Sequence, residues 1–442
     1  MARHLHLNLF VHGRGHHEAG WRHAGATRRA LTDIDYFRHL AVEAERSLFD
    51  SVFCADSLAL GDGAQFVASG ALEPLTTLAA LSQATTRIGL IATASTTYTE
   101  PFNLARQFAS LDHLSRGRIG WNIVTSWVGG AGPNFGYDEQ IEHAERYERA
   151  NEFLEVVTRL WDSWADDAII DDVASGRFLD SSRVRRIDYK GKFHRVAGPL
   201  NVPRPPQGHP VLVQAGSSAT GKAFAARHAE AVFTAHLAKE SAIDFYAELK
   251  AGATALGRRE QDIVILPGIS AAIGATEAQA SALLDELDSL TDVSVGLSRL
   301  SNRFGGYDFS KLPLDHPLSV DDFPDPSTVQ AAQSRAAVIT QLVARERPTL
   351  RALLRQLAAA RGHYTLSGTP EKIADVIADW FESRAADGFN VMPPVLPAQF
   401  DIFTENVVPI LQKRGLFRRE YDAATLRGHY GLARPANPYF GH

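Results

Sequence analysis

Short apolar runs recur along the chain, separated by longer stretches in which apolar residues return every three or four positions. The short runs are His4 to Phe10, Ser51 to Ala55, Arg87 to Ala94, Arg118 to Val124, Pro210 to Gln214, Ala231 to Thr234, Ile263 to Ile269 and Phe389 to Met392. Each has the length and composition of a strand buried on both faces. Between most of them lie amphipathic segments, among them Asp35 to Arg46, Glu73 to Ala84, Phe102 to Leu114 and Arg146 to Trp164, which predict helices. Strands alternating with helices predict a parallel α/β sheet. Eight such units predict a closed (β/α)8 TIM barrel over an open sheet.

Local signals fit this pattern. Thr276 and Gln279 make a capping-box pair ahead of ASALLDELDSL. Thr369 with Pro370 opens a helix that ends before Gly388, and the last strand follows that glycine directly. Two stretches break the repeat. Residues 165–209 are rich in charge and hold a hairpin signal around DYKGKFH, while residues 291–348 are rich in Pro, Gly and Ser with four aromatics. Structureless segments of that length are usually lids or binding loops. They read as excursions from a single barrel spanning 1–442, with no second domain and no internal repeat.

The chain has 442 residues, enough for two or three average domains, but barrels with insertions reach this size as one unit. With 45% hydrophobic residues it can bury a large core. Its net charge of −6 is spread without a long run of one sign, which argues against nucleic acid or a membrane surface as partner. The one cysteine, Cys54, cannot form an internal disulfide and reads as a buried core thiol. No signal-like segment opens the chain, and no apolar run approaches the roughly 18 residues of a membrane span. A cytoplasmic protein is expected.

Several polar groups fall where strands end. GRIGWNIVTS, from Gly117, sets Asn122, Thr125 and Ser126 at the exit of the fourth strand, the side on which barrels bind ligands. Asp56 ends the second strand and Thr93 lies near the end of the third. Gly216, Gly221 and Lys222 satisfy GxxxxGK after the fifth strand, but Ala223 stands where a nucleotide hydrolase needs a hydroxyl for Mg²⁺. The loop still suits an anion, because Ser217, Ser218 and exposed amides precede a helix start. His143 and Tyr147, four apart on a helix, share one face. Gly129, Gly130, Gly132 and Gly136 make no dinucleotide fingerprint, since Phe135 replaces the required glycine, and they read as a flexible loop. NAD(P)H binding on this chain is therefore not expected. His12, His16, His17, Trp21, Arg22 and His23 follow the first strand without a cysteine or carboxylate spacing that would bind metal.

Taken with HLHLNLF at His4, ADSLAL around Asp56, HAERYERANEF from His143, QAGSS from Gln214 and ADGFNVMPP from Ala386, the chain resembles the bacterial luciferase-like flavin monooxygenases. The branch it resembles includes nitrilotriacetate, dibenzothiophene sulfone and streptogramin-type monooxygenases. The resemblance implies reduced FMN as cofactor, supplied by a separate NAD(P)H:flavin reductase. O₂ and a small organic molecule, nitrogen- or sulfur-containing or xenobiotic, are the implied substrates, and a homo-oligomer, dimer or tetramer, the implied assembly. It places Asp56, Thr93 and Asn122 around the flavin, with a non-prolyl cis peptide between Ala94 and Ser95. It places His143 and Tyr147 at the ribityl phosphate and Ser217 and Ser218 on the phosphate itself. The histidine loop lines the substrate side, where His12 or His17 is the implied acid or base. The family word AWRH appears here as GWRH, with Gly20 for alanine. A deazaflavin-dependent barrel oxidoreductase and a non-catalytic flavin-binding protein remain as alternatives, and chain length and the GWRH loop favour FMN.

Overall fold

Why the apolar runs become strands is visible in their burial, since β2 (Ser51–Cys54), β3 (Gly89–Ser95), β5 (Val211–Gln214), β6 (Ala231–Thr234), β7 (Val264–Ile273) and β8 (Gly388–Val391) are buried at every position. With β1 (His6–Val11) and β4 (Ile119–Val124) they form one parallel sheet, closed into a ring by the β6–β7 pairing. This is the (β/α)8 barrel that the alternation predicts. The computed structural model describes residues 3–440 apart from 62–63, 127–128, 140, 217, 327–328, 330–332 and 361.

The strands are covered by α1 (Ile34–Arg46), α2 (Pro74–Ala84), α3 (Pro101–Ser115), α4 (His143–Trp161), α5 (Ala219–His228), α6 (Lys239–Ala255), α7 (Glu277–Ser289) and, later, α11 (Pro370–Glu382). Alternation decides what faces where. Trp121 of β4 packs outward on Phe108 of α3 and on Phe153 and Trp161 of α4, so its neighbour Asn122 faces inward.

Two features depart from the expected pattern. β7 runs four residues past its expected end, and its outer half pairs with an extra parallel strand, Tyr364–Gly368, in the register Ile269↔Tyr364 to Ile273↔Gly368. Small residues in GISAAI carry little strand signal, and YTLSG is a short run that ends in Ser and Gly; the ladder between them satisfies both backbones. Residues 291–348 are not an irregular loop either. They hold α8 (Val293–Arg303) and α9 (Gln333–Glu346), followed by α10 (Leu350–Ala360). Three of the four aromatics that stand out there meet in a separate apolar cluster, with Phe304 5.5 Å from Phe309 and 5.2 Å from Phe323. The 165–209 excursion contains the expected hairpin, Tyr189–Lys190 with Arg195–Val196, and another, Ile169–Asp172 with Arg177–Leu179.

The end of the barrel opposite the ligand side is sealed by the C-terminal segment. Leu426 is fully buried against Gly89 and Gly120, where an added Cβ would lie 2.4 and 3.1 Å from its methyl groups. The Tyr430 hydroxyl donates to Asn8 Oδ1 at 2.9 Å inside the barrel. Nearby, Asp50 accepts from the Leu7 amide at 2.7 Å and contacts His6 and Arg418. Burial alone would raise its carboxyl, but the Arg418 guanidinium and His6 hold it down at about 2.

Candidate active site

An aromatic floor lies across the barrel where β1, β2 and β6 approach the ligand side. The Phe10 ring lies 4.6 Å from Phe53 and 5.4 Å from Phe233, and Phe53 and Phe233 are 5.6 Å apart. His16 stacks edge-on to Phe10 at 4.6 Å and donates from Nε2 to the Phe10 carbonyl at 2.9 Å. His12 sits 5.5 Å from His16. From the far side of the chain His363 lies flat on Phe233, 4.9 Å away with 4° between planes. Only a glycine at 268 admits it, because a Cβ there would lie 2.4 Å from its Nδ1. No motif in the sequence points to His363, whose partner Phe233 is 130 residues away; Gly268 inside an apolar strand is the one local sign.

His17 is placed elsewhere. Its side chain is fully buried, with Nε2 3.5 Å from Asp288 of α7 and Nδ1 accepting from the Ala19 amide. The same loop is tied to the excursion by the Glu18–Arg299 ion pair and to the end of α7 by an Arg22 bond to the Leu290 carbonyl. The structure therefore brings His12, but not His17, to the aromatic floor. Gly20, which stands in place of the family's alanine, is held close to the chain opposite, since a Cβ there would lie 2.3 Å from the Pro394 carbonyl oxygen.

On the neighbouring strands Thr93 and Asn122 are joined, Asn122 Nδ2 donating to Thr93 Oγ1 at 2.9 Å. Asn122 Oδ1 is buried and has no partner among the described residues. Asp56 stands at the exit of β2 and accepts from the Ser57 amide at 2.8 Å, while partial burial and the charge of Glu73 raise its carboxyl. The expected cis peptide between Ala94 and Ser95 is not present, since the cis bonds among the described residues are Gly198–Pro199 and Leu396–Pro397. An extended trans backbone keeps β3 in its ladder with β4 through Ser95↔Val124. Beyond it Ser95 Oγ turns the chain, accepting from the Thr97 and Tyr98 amides and from Ser126 Oγ.

The loop after β5 and the face of α4 meet. Ser218 caps α5 by accepting from the Gly221 amide at 3.1 Å. The Tyr147 hydroxyl reaches this turn, lying 3.2 and 3.0 Å from where Cβ atoms of Gly216 and Gly221 would be. Burial raises its phenol, and hydrogen bonds with Ser218 and Thr125 oppose the rise. His143 lies 5.0 Å from the Tyr147 ring, and burial with the nearby Arg146 charge lowers its imidazole. Ser217 lies outside the described residues. Lys222 is drawn away from the turn into an ion pair with Glu248 at 2.5 Å, as a helix residue rather than a phosphate-loop lysine. A cavity of about 490 Å³ adjoins Ser218, reaching His236 and Phe245 on one side and Gln341 and Arg345 of α9 on the other. A larger concavity of about 800 Å³, bordered by His113, Trp164 and Ile169, lies on the outer wall and holds none of these groups.

Gly129–Phe135 is not an irregular loop but a 3₁₀ helix containing Pro133. It lies over the exits of β3 and β4, with Phe135 stacked 4.8 Å from Tyr98.

The arrangement offers an anion cradle at a helix amino terminus, an inward-facing amide acceptor, and a dry aromatic floor flanked by imidazoles. The chain is similar to several known proteins. Residues 10–387 match the family described as luciferase-like monooxygenase. The chain is 48% identical to N-acetyl-S-(2-succino)cysteine monooxygenase of Bacillus subtilis (strain 168), covering 98% of each chain. It is 43% identical to nitrilotriacetate monooxygenase component A of Aminobacter aminovorans, over 98% of this chain and 97% of that one. Among solved structures, a riboflavin lyase with modified FMN and riboflavin superposes with a TM-score of 0.86 at 32% identity, over 97% of this chain and 96% of that one.

Proposed function

This chain belongs to the luciferase-like monooxygenase family, and from that premise we propose that it is the oxygenating component of a two-component system. It takes reduced FMN from a separate NAD(P)H:flavin reductase and uses O₂ to oxygenate a small organic substrate containing nitrogen or sulfur. The observation that carries this reading is the Tyr147 hydroxyl at the amino terminus of α5, between Gly216, Ser218 and Gly221. Backbone amides and the helix dipole there favour a phosphate, and Tyr147 and Ser218 add hydroxyl donors to it.

Reduced FMN, when bound, supplies the two electrons that let one atom of O₂ enter the substrate while the other leaves as water. Ser218, Tyr147 and His143 hold its phosphate end, and Thr93, Asn122 and Asp56 line its ribityl and ring side. Asn122 Oδ1, buried without a partner among the described residues, accepts a hydrogen bond from the ligand. Phe10, Phe53 and Phe233 exclude water from the reacting face. His12 moves the proton on the substrate side, and His17 supports the loop through Asp288. The relatives named for nitrilotriacetate and N-acetyl-S-(2-succino)cysteine make carboxylated amines and thioethers the first substrates to try. The same reading makes the protein a cytoplasmic homo-oligomer, dimer or tetramer; no described helix is long and apolar enough to cross a membrane.

The test combines the purified protein with NADH, FMN, an independent flavin reductase and isotopically labelled O₂, using those two compounds as substrates. Anaerobic binding of reduced FMN and one labelled oxygen atom in the product are expected. Failure to bind reduced FMN overturns the proposal.

A further inference from the structure

Four arginines are almost completely buried: Arg118, Arg146, Arg204 and Arg427. Three of them are compensated. Arg118 donates to the Ser82, Thr85, Ile88 and Ser115 carbonyls and to the Thr85 hydroxyl. Arg204 pairs with Asp162 and Asp166, and Arg427 with Glu230. Arg146 is 1% exposed and makes one hydrogen bond among the described residues, from Nη1 to the Ser126 carbonyl at 2.8 Å. Its Nε is buried without a partner among the described residues. Its charge acts on the phenols of Tyr98 and Tyr147 and on the imidazole of His143, and no acid pairs with it among the described residues. A buried guanidinium left this way is costly unless something else brings the negative charge.

A second group beside it is also unsatisfied. Tyr98 is 8% exposed, its hydroxyl has no partner among the described residues, and burial raises its phenol, which the Arg146 charge opposes. The 3₁₀ helix roofs this hydroxyl, with Gly132 leaving its Cβ position 3.6 Å away. Ser126, which Arg146 holds, has positive φ and closes the exit of β4.

We infer that Arg146 and Tyr98 form an oxyanion site beneath the Gly129–Phe135 helix, at the mouth of the barrel. A guanidinium fork and a phenolic O–H suit the two oxygens of a carboxylate or phosphate. Two sources of that chemistry reach the mouth, a carboxylate of the organic substrate and the phosphate of the flavin. The inference rests on the flavin reading above, because both sources presuppose it.

Two affinity ratios test it in the full-length protein. One compares reduced FMN with reduced riboflavin, titrated anaerobically by fluorescence. The other compares N-acetyl-S-(2-succino)cysteine with its methyl ester, titrated calorimetrically into flavin-loaded protein. Arg146→Met and Tyr98→Phe are measured beside the wild type, with Arg146→Lys as the variant that keeps the charge. One ratio should fall by about ten- to a hundredfold in Arg146→Met and recover in part in Arg146→Lys. A fall in the first ratio identifies the phosphate as the ligand, and a fall in the second identifies the carboxylate. A purely structural role would weaken both members of each pair alike, so ratios within twofold of wild type overturn the site. If the wild type itself fails to bind reduced FMN, the functional reading fails instead.

Discussion

Replacing Leu426 tests how the barrel is sealed at its base. The side chain is fully buried, and its methyl groups fill the space that Gly89 and Gly120 leave open. Leu426→Ala removes packing and leaves a cavity, a change that costs about 2 to 5 kcal/mol. Gly120→Ala alone places a Cβ 3.0 Å from Ile91 Cγ1 and 3.1 Å from Leu426 Cδ2, an overpacking that costs about 1 to 3 kcal/mol. In the double variant the contact with Leu426 disappears and the new methyl group occupies part of the cavity. The combined loss should then fall about 1 to 2 kcal/mol short of the sum of the single losses. Guanidinium unfolding followed by both far-ultraviolet circular dichroism and tryptophan fluorescence measures it, coincident transitions confirming that one free energy applies. Additivity within about 0.5 kcal/mol would show that Leu426 and Gly120 do not share the space, and the account of the seal would be wrong.

Ser218→Ala should weaken reduced-FMN binding by about tenfold or more in anaerobic titration, through loss of the cap and of a phosphate donor. Lys222→Ala should leave that affinity within twofold, because Lys222 is engaged by Glu248; the opposite ranking would favour a nucleotide-type loop. Asp50 has a folded value of about 2 against 3.8 ordinarily. A carboxyl lowered by folding adds stability above its unfolded value and loses it as pH falls through the folded one. About 2 kcal/mol should therefore vanish between roughly pH 4 and pH 2. Asp50→Asn should flatten that part of the profile of urea midpoint against pH; an unchanged slope would assign the acid sensitivity elsewhere. Gly20→Ala must push its turn off the Pro394 carbonyl, which should cost about 1 to 3 kcal/mol and lower turnover by displacing the histidine loop. Crystallography of that variant with the loop unmoved would refute it.

The barrel is legible in the sequence because strands covered on both sides must be mostly apolar, and runs such as SVFC and GLIATAS are, with every position buried. The outer half of β7 and its partner Tyr364–Gly368 are less legible, because the small residues Ser270, Ala271 and Ala272 and the short run YTLSG become strands through the ladder they share. Much of the site follows from strand ends: Asn122 with Thr93, and Tyr147 with Ser218, are set together by exits of adjacent strands. His363 comes to Phe233 from the end of an excursion, a tertiary contact with no local pattern. The aromatics of 291–348 mark a cluster, yet composition rich in Pro and Gly hides the helices that carry them. The cis bond at Ala94–Ser95 was implied by resemblance alone, and nothing in those two residues demands it.

Within the ring the first strand pairs with the last, and Asn8 meets Asn390 across 382 residues of chain. On the ribosome, at about 5 to 20 residues per second, β8 emerges roughly 20 to 80 s after β1. For that interval β1 has a neighbour on one side only, and its other edge is a row of unpaired amides and carbonyls in an apolar sheet. Such an edge recruits any strand within reach, including one from another growing copy. Gly388 is matched to this last step, because a Cβ there would lie 2.1 Å from the His6 carbonyl oxygen. Yield in a host cell should thus depend less on the stability of the finished barrel than on how well the unfinished sheet is kept apart from its neighbours.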